Sequence, residues 1–168
     1  MSATNAALNI DDLITWNKSN AKIWYALASS QPEVLKISCD IHKARTVGEL
    51  LQHIVAVELR YAERLGDDAV TDYVNIPYGS AEEIFAAHDR AIVIFKELLA
   101  DEEFDWNQDL EFVTLTAGKR RASRKAILHH ALLHGIRHYA QLATLSRQQG
   151  FKSGPADYLI ANSTLVES

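Results

Sequence analysis

Three features of this 168-residue chain predict an all-α fold, a four-helix bundle. Four segments of roughly 20 residues repeat apolar side chains at three- and four-residue steps, the spacing of an amphipathic helix. Only seven glycines and three prolines occur, too few to punctuate many short strands. No repeat, low-complexity tract or Pro/Ser-rich linker interrupts the chain, so residues 1–168 read as one domain. Helices of that length would each span about 30 Å and would bury their stripes against one another.

The first helix is expected over residues 10–30, where Ile10, Leu13, Ile14, Ala21, Trp24, Leu27 and Ala28 share a face. Asp11 and Asp12 complement the positive end of its dipole, and Gln31-Pro32 ends it, because proline disfavours the α conformation in the preceding residue. The second, 46–65, opens on Thr46-Val47-Gly48-Glu49, a capping-box pattern. Leu50, Ile54, Val57, Tyr61 and Leu65 follow on one face, and Gly66 is expected to close it in the left-handed conformation. The third, 80–100, opens on a second such pattern, Ser80-Ala81-Glu82-Glu83, and carries Ile84, Phe85, Ala91, Ile92, Phe95, Leu98 and Leu99. The fourth, 123–149, ends at Gly150 and buries Leu128, Leu132, Ile136, Tyr139, Leu142 and Ala143.

Residues 38–45 are a connection. Residues 105–121 mix Leu110, Phe112 and Leu115 with polar residues and suit a short extended piece or hairpin. They form a long crossover between the third and fourth helices. A short helix is expected at 157–161.

The net charge of −5 argues against nucleic-acid binding as the main activity, since phosphate contacts need a concentrated basic surface. The densest basic run, Lys119-Arg120-Arg121 with Arg124-Lys125, reads as a solvated loop and helix start, or as a grip for an anionic substrate. Cys39 is the one cysteine, so no internal disulfide forms, which suits the reducing cytoplasm. It reads as a buried or incidental thiol. Residues 1–12 lack the pattern of a signal peptide. No apolar run approaches the roughly 20 residues that cross a bilayer, so no membrane partner is expected.

Seven histidines carry the chemistry: His42, His53, His88, His129, His130, His134 and His138. His134 and His138 stand four apart on one helix, with Cβ atoms about 6 Å from each other. Imidazoles at that spacing can share a metal. His53 sits at the edge of the second stripe, near Leu50 and Val57 in angle, and points toward a neighbouring helix. Three histidines from two helices would leave coordination positions open, the pattern of a catalytic metal. Ligation needs neutral imidazoles, so acid should weaken it.

His130 reads as second shell, surface or a substitute ligand, and His88 as a hydrogen-bonded core histidine or a pocket residue. His42 and His129 read as loop and surface residues. Asn17 and Asn20 fall within the first apolar stripe, and either line a polar pocket or only interrupt the stripe. Glu58 points inward from the second helix, as a second-shell acceptor, a proton shuttle or the partner of an arginine. The catalytic candidates are thus Glu58 and His130. Gly135 costs about 1 kcal/mol relative to alanine in mid-helix, which close helix approach would explain. No glutamate stands between His134 and His138 in the position metalloproteases use, which disfavours peptide hydrolysis by that route.

Together, Thr46-Val47-Gly48-Glu49-Leu50-Leu51-Gln52-His53-Ile54-Val55-Ala56-Val57-Glu58, His134-Gly135-Ile136-Arg137-His138-Tyr139-Ala140-Gln141-Leu142 and Ser146-Arg147-Gln148-Gln149-Gly150 resemble the DinB/YfiT-like superfamily of metalloenzymes, the DinB family. The resemblance implies an up-down-down-up bundle. It implies a divalent metal ion (nickel, zinc or iron) on one histidine of the second helix and two of the fourth, here His53, His134 and His138. It also implies a homodimer. Characterised relatives include transferases and isomerases that use low-molecular-weight thiols, and the family name comes from DNA-damage induction. Tyr139-Ala140 replaces the frequent Arg-Gly before Gln141, and Arg137 stands where a further histidine is common. The ligands are intact, but subgroup and substrate stay open. The expected function is a metal-dependent enzyme such as a small-thiol-dependent S-transferase. The alternatives are a metal-dependent hydrolase and a non-catalytic dimeric stress or scaffold bundle. A pocket lined by Asn17, Trp16 or Tyr61 beside the ion would favour the enzyme.

Overall fold

Each long helix begins where an oxygen-bearing side chain can take up a free backbone N–H. In the computed structural model, which describes residues 8–114 and 117–166, these positions are Asn9, Thr46, Ser80 and Ser123. They accept from the N–H of Asp12, Glu49, Glu83 and Ala126, and each such cap typically stabilises a helix by about 1 kcal/mol. The helices that follow are α1 (Ile10–Ser30), α2 (Val47–Leu65), α3 (Ala81–Ala100) and α4 (Arg124–Gln148). A short α5 (Tyr158–Ala161) lies in the tail, and single turns of 3-10 helix occur at Pro32–Lys36, Ile41–Lys43 and Tyr73–Asn75.

Two local expectations are corrected. The reciprocal capping box forms at Asn9 and Asp12 rather than at the two predicted sites. Glu49 and Glu83 reach one residue further back, to the N–H of Arg45 and Gly79. Gly66 keeps a negative φ of −79°, and Asp67 takes the left-handed conformation instead, with φ 59°.

The chain is mostly helical but not purely so. The crossover folds into an antiparallel hairpin of β1 (Asp109–Thr114) and β2 (Gly118–Ser123), with Asp109 opposite Ser123 and Thr114 opposite Gly118. Gly118, at φ 68°, supplies the left-handed residue that the turn requires. Leu110, Phe112 and Thr114 turn inward from β1 while Asp109, Glu111 and Val113 face out, the two-residue alternation of a strand. Leu115, expected in this stretch, lies outside the described residues. Lys119 and Arg121 of the basic run both pair with Glu111 across the hairpin, and Arg124 sits over the Phe104 ring.

α2 packs on α3 and α4, and α1 packs on α4 and α3. Between them Trp24, Leu50, Leu51, Ile54, Phe95, Leu132, Tyr139 and Leu142 are fully buried. Each large apolar side chain so placed contributes about 1.5–3 kcal/mol. Cys39 is buried, and burial pushes its thiol pKa up, away from nucleophilic use. Among the described residues no helix is long and apolar enough to cross a membrane. Val57, Tyr61 and Ile136 are only half-buried although the stripes predict them in the core. Val57 and Tyr61 line a cavity where α2 and α4 face the hairpin.

Candidate metal centre

His134 and His138 lie one turn apart on α4, facing α2. The packing of α2 on α4 brings His53 Nε2 to 3.1 Å from His134 Nε2. One ring nitrogen from each of His53, His134 and His138 lies within 4.8 Å of the others. Three nitrogens at about 2.0–2.1 Å from one tetrahedral ion lie roughly 3.3 Å apart. The closest pair already has nearly that spacing, and only modest closure is needed for the rest. The three imidazoles could therefore hold a metal ion.

Hydrogen bonds select the atoms. His138 Nδ1 donates to Gln141 Oε1 at 2.6 Å, so Nε2 carries its lone pair. That nitrogen accepts from Arg137 Nη2 at 3.1 Å. His134 Nδ1 is buried with no hydrogen-bond partner among the described residues. Burial, followed by the neighbouring His42, His138 and Arg137, holds the His53 pKa down at about 3. Burial and the adjacent His138 and His53 bring His134 down to about 2. Burial also lowers His138, against the pull of its Gln141 bond, and lowers His130. These rings are neutral near neutrality, as ligation requires.

His42 belongs to this site although its sequence context suggests only a loop surface. Its ring centroid lies 4.3 Å from that of His53 and 5.8 Å from that of His138. His42 and Lys43 are both left-handed, at φ 51° and 66°. That conformation is costly without glycine, and it follows from no local spacing. Two cavities meet at His42, His53 and Tyr73. One, about 590 Å³, continues along Arg45, Glu49, Gln52 and Tyr78. The other, about 210 Å³, runs past Tyr61, His130, His134 and Arg137. Tyr61 thus lines the site, whereas the Trp16 indole N–H donates to Ala156 O beneath the tail.

Glu58, the other catalytic candidate, lies inside the core and lines neither cavity. Its Oε1 accepts from Asn17 Nδ2 at 2.8 Å and its Oε2 is 2.7 Å from His88 Nδ1. Its partner is an imidazole rather than the arginine that the sequence suggests; Arg90 pairs with Glu63 instead. Burial pulls the His88 pKa down, but the charge and hydrogen bond of Glu58 outweigh it and leave the pKa raised. Asn17 is therefore a core residue, and His88, also buried, lines a separate cavity with Lys18, Tyr25 and Phe85. Asn20 satisfies its amide on Trp16 O within its own helix, and His129 bonds Lys125 O. A Cβ on Gly135 would lie 2.8 Å from Glu58 Oε1 and 3.0 Å from Asn17 Nδ2. Glycine is what lets this buried carboxylate sit against the turn that carries His134 and His138.

The geometry defines a class: a mostly helical protein with a triad of histidines compatible with metal binding. The chain belongs to the DinB family, whose family model matches residues 1–164. No curated protein matches it.

Proposed function

We propose that the chain is a single-domain, up-down-down-up four-helix bundle acting as a metal-dependent enzyme, a small-thiol-dependent S-transferase with His53, His134 and His138 as ligands. The observation that carries this reading is the convergence of three neutral imidazoles at a point where two cavities join. The topology is supported by paired contacts. His53 meets His138 while Tyr61 meets His130, so α2 and α4 run in opposite directions. Glu58 meets His88 while Glu63 meets Arg90, so α2 and α3 run together.

A divalent ion (nickel, zinc or iron) bound there supplies Lewis acidity, which acidifies a thiol or water and polarises a substrate oxygen. The protein's part is to present lone pairs and shape access. Gln141 fixes the His138 tautomer. His130, exposed at the edge of the smaller cavity and neutral near neutrality, can accept a proton from an incoming group. Glu58 acts from within the core, by holding His88 and Asn17. Two cavities of unequal size on one triad suit two organic substrates, a thiol and its acceptor. A hydrolase needs only one, and a scaffold needs neither. A homodimer, by family resemblance, and a cytoplasmic location, in keeping with the single cysteine, complete the reading.

Elemental analysis of untagged protein tests the site. One equivalent of metal is expected in the parent and near-complete loss in His53→Ala and His134→Ala. Unchanged metal in either variant removes that residue. Thiol consumption with an electrophile, lost on metal removal, is the expected activity. Ester hydrolysis without thiol would move the assignment to a hydrolase.

A further inference from the structure

We propose that the smaller cavity beside the triad is an oxyanion pocket, in which Arg60, Arg64 and Arg137 seat a carboxylate or phosphate group of the substrate. The inference deepens the metal-enzyme reading and rests on it for placing that substrate next to the ion. The cavity has a volume of about 210 Å³, and among the described residues its lining includes these three arginines and no acidic residue. That is room for roughly seven waters, or one small acid.

Such a concentration of unopposed positive charge is unusual in a chain of net charge −5. Three of the six other arginines pair with carboxylates, Arg45 with Glu49, Arg90 with Glu63 and Arg121 with Glu111, and the remaining three do not line this cavity. Among the described residues Arg60, Arg64 and Arg137 form no ion pair. The larger cavity sets Glu49 against Arg45 and Lys43 and is less one-sided.

Each of the three is held in place by something other than an acid. Arg60 Nη1 donates to Thr71 O at 2.6 Å. The Arg64 guanidinium carbon lies 5.4 Å and 5.3 Å from the centroids of Tyr61 and Phe112, within cation–π range. Arg137 rests on His138 Nε2. A guanidinium has five N–H donors in a planar fork, so most remain free to take an oxyanion bidentately. Arg64 is partly desolvated, with burial lowering its pKa, and an anion would offset that cost. The contact between Arg137 and His138 uses the same lone pair that a metal would take. Metal loading therefore frees that donor for the cavity Arg137 already lines. The basic run on the hairpin, by contrast, has Lys119 and Arg121 engaged by Glu111.

The test is calorimetric titration of untagged, metal-quantified full-length protein with inorganic phosphate and, separately, with succinate. Saturable 1:1 binding of at least one probe is expected, weakened about tenfold or more in Arg64→Gln and in Arg137→Gln, and unchanged in Arg121→Gln, on the hairpin outside both cavities. Which probe binds separates phosphate from carboxylate recognition. Metal retained in all variants with no probe binding, or with binding indifferent to the arginines, overturns the oxyanion pocket and leaves the metal site standing. Arginine-dependent binding in protein without metal keeps the pocket and removes the metal reading instead.

Discussion

His134 and His88 are almost equally buried, at 8% and 3% exposure, yet their surroundings drive their pKa values in opposite directions. His134 faces other imidazoles and a guanidinium, so desolvation goes unopposed and the ring sheds its proton. His88 faces the Glu58 carboxylate, which more than reverses the same desolvation. Burial alone does not decide what a core histidine does; the charge of its neighbour does. One ring is left with a free lone pair for a metal, and the other with a held proton.

The strongest way to break this contrast is to remove the carboxylate. Glu58→Ala leaves a buried imidazole and the Asn17 amide without their partner. It should cost about 3–5 kcal/mol in urea unfolding, and a loss below about 1 kcal/mol would show that the pair is no anchor. A smaller effect is expected on the other side. Gln141→Leu removes the acceptor that fixes the His138 tautomer, and should weaken metal affinity about 10–100-fold in chelator competition. The unfolding of the metal-free protein should hardly change.

The gentlest test is the pH dependence of metal-free stability, read from thermal melts. His53 and His134 have folded pKa values of about 3 and about 2, below the ordinary 6.5. Their share of stability is complete above 6.5 and is lost as pH falls toward those values. His88 has a raised pKa, so its share is present below 6.5 and is lost as pH rises through the folded value. His53→Ala should flatten the acid limb and His88→Ala the alkaline one. Both variants flattening the same limb would contradict the contrast.

The four long helices were legible because periodicity and caps are local: Thr46, Ser80 and Ser123 sit where the expected helices begin. The triad was legible because a four-residue spacing and a stripe edge are also local. The Glu58–His88 pair, the approach of His42 and the grouping of Arg60, Arg64 and Arg137 were not. Each depends on how one helix slides against another, or on two left-handed residues in a loop, and no single segment encodes that. The hairpin lay between these cases: its alternation could be read, but its closure over Tyr61 by Phe112 is a tertiary event.

Residue 135 presents a bare hydrogen to the carboxylate of Glu58, so no padding separates the turn that bears two imidazoles from a fully buried ion pair. An axial shift of α4 at the triad would be transmitted directly to that pair. The protein's interior would then work as a strain gauge for whether its mouth is filled.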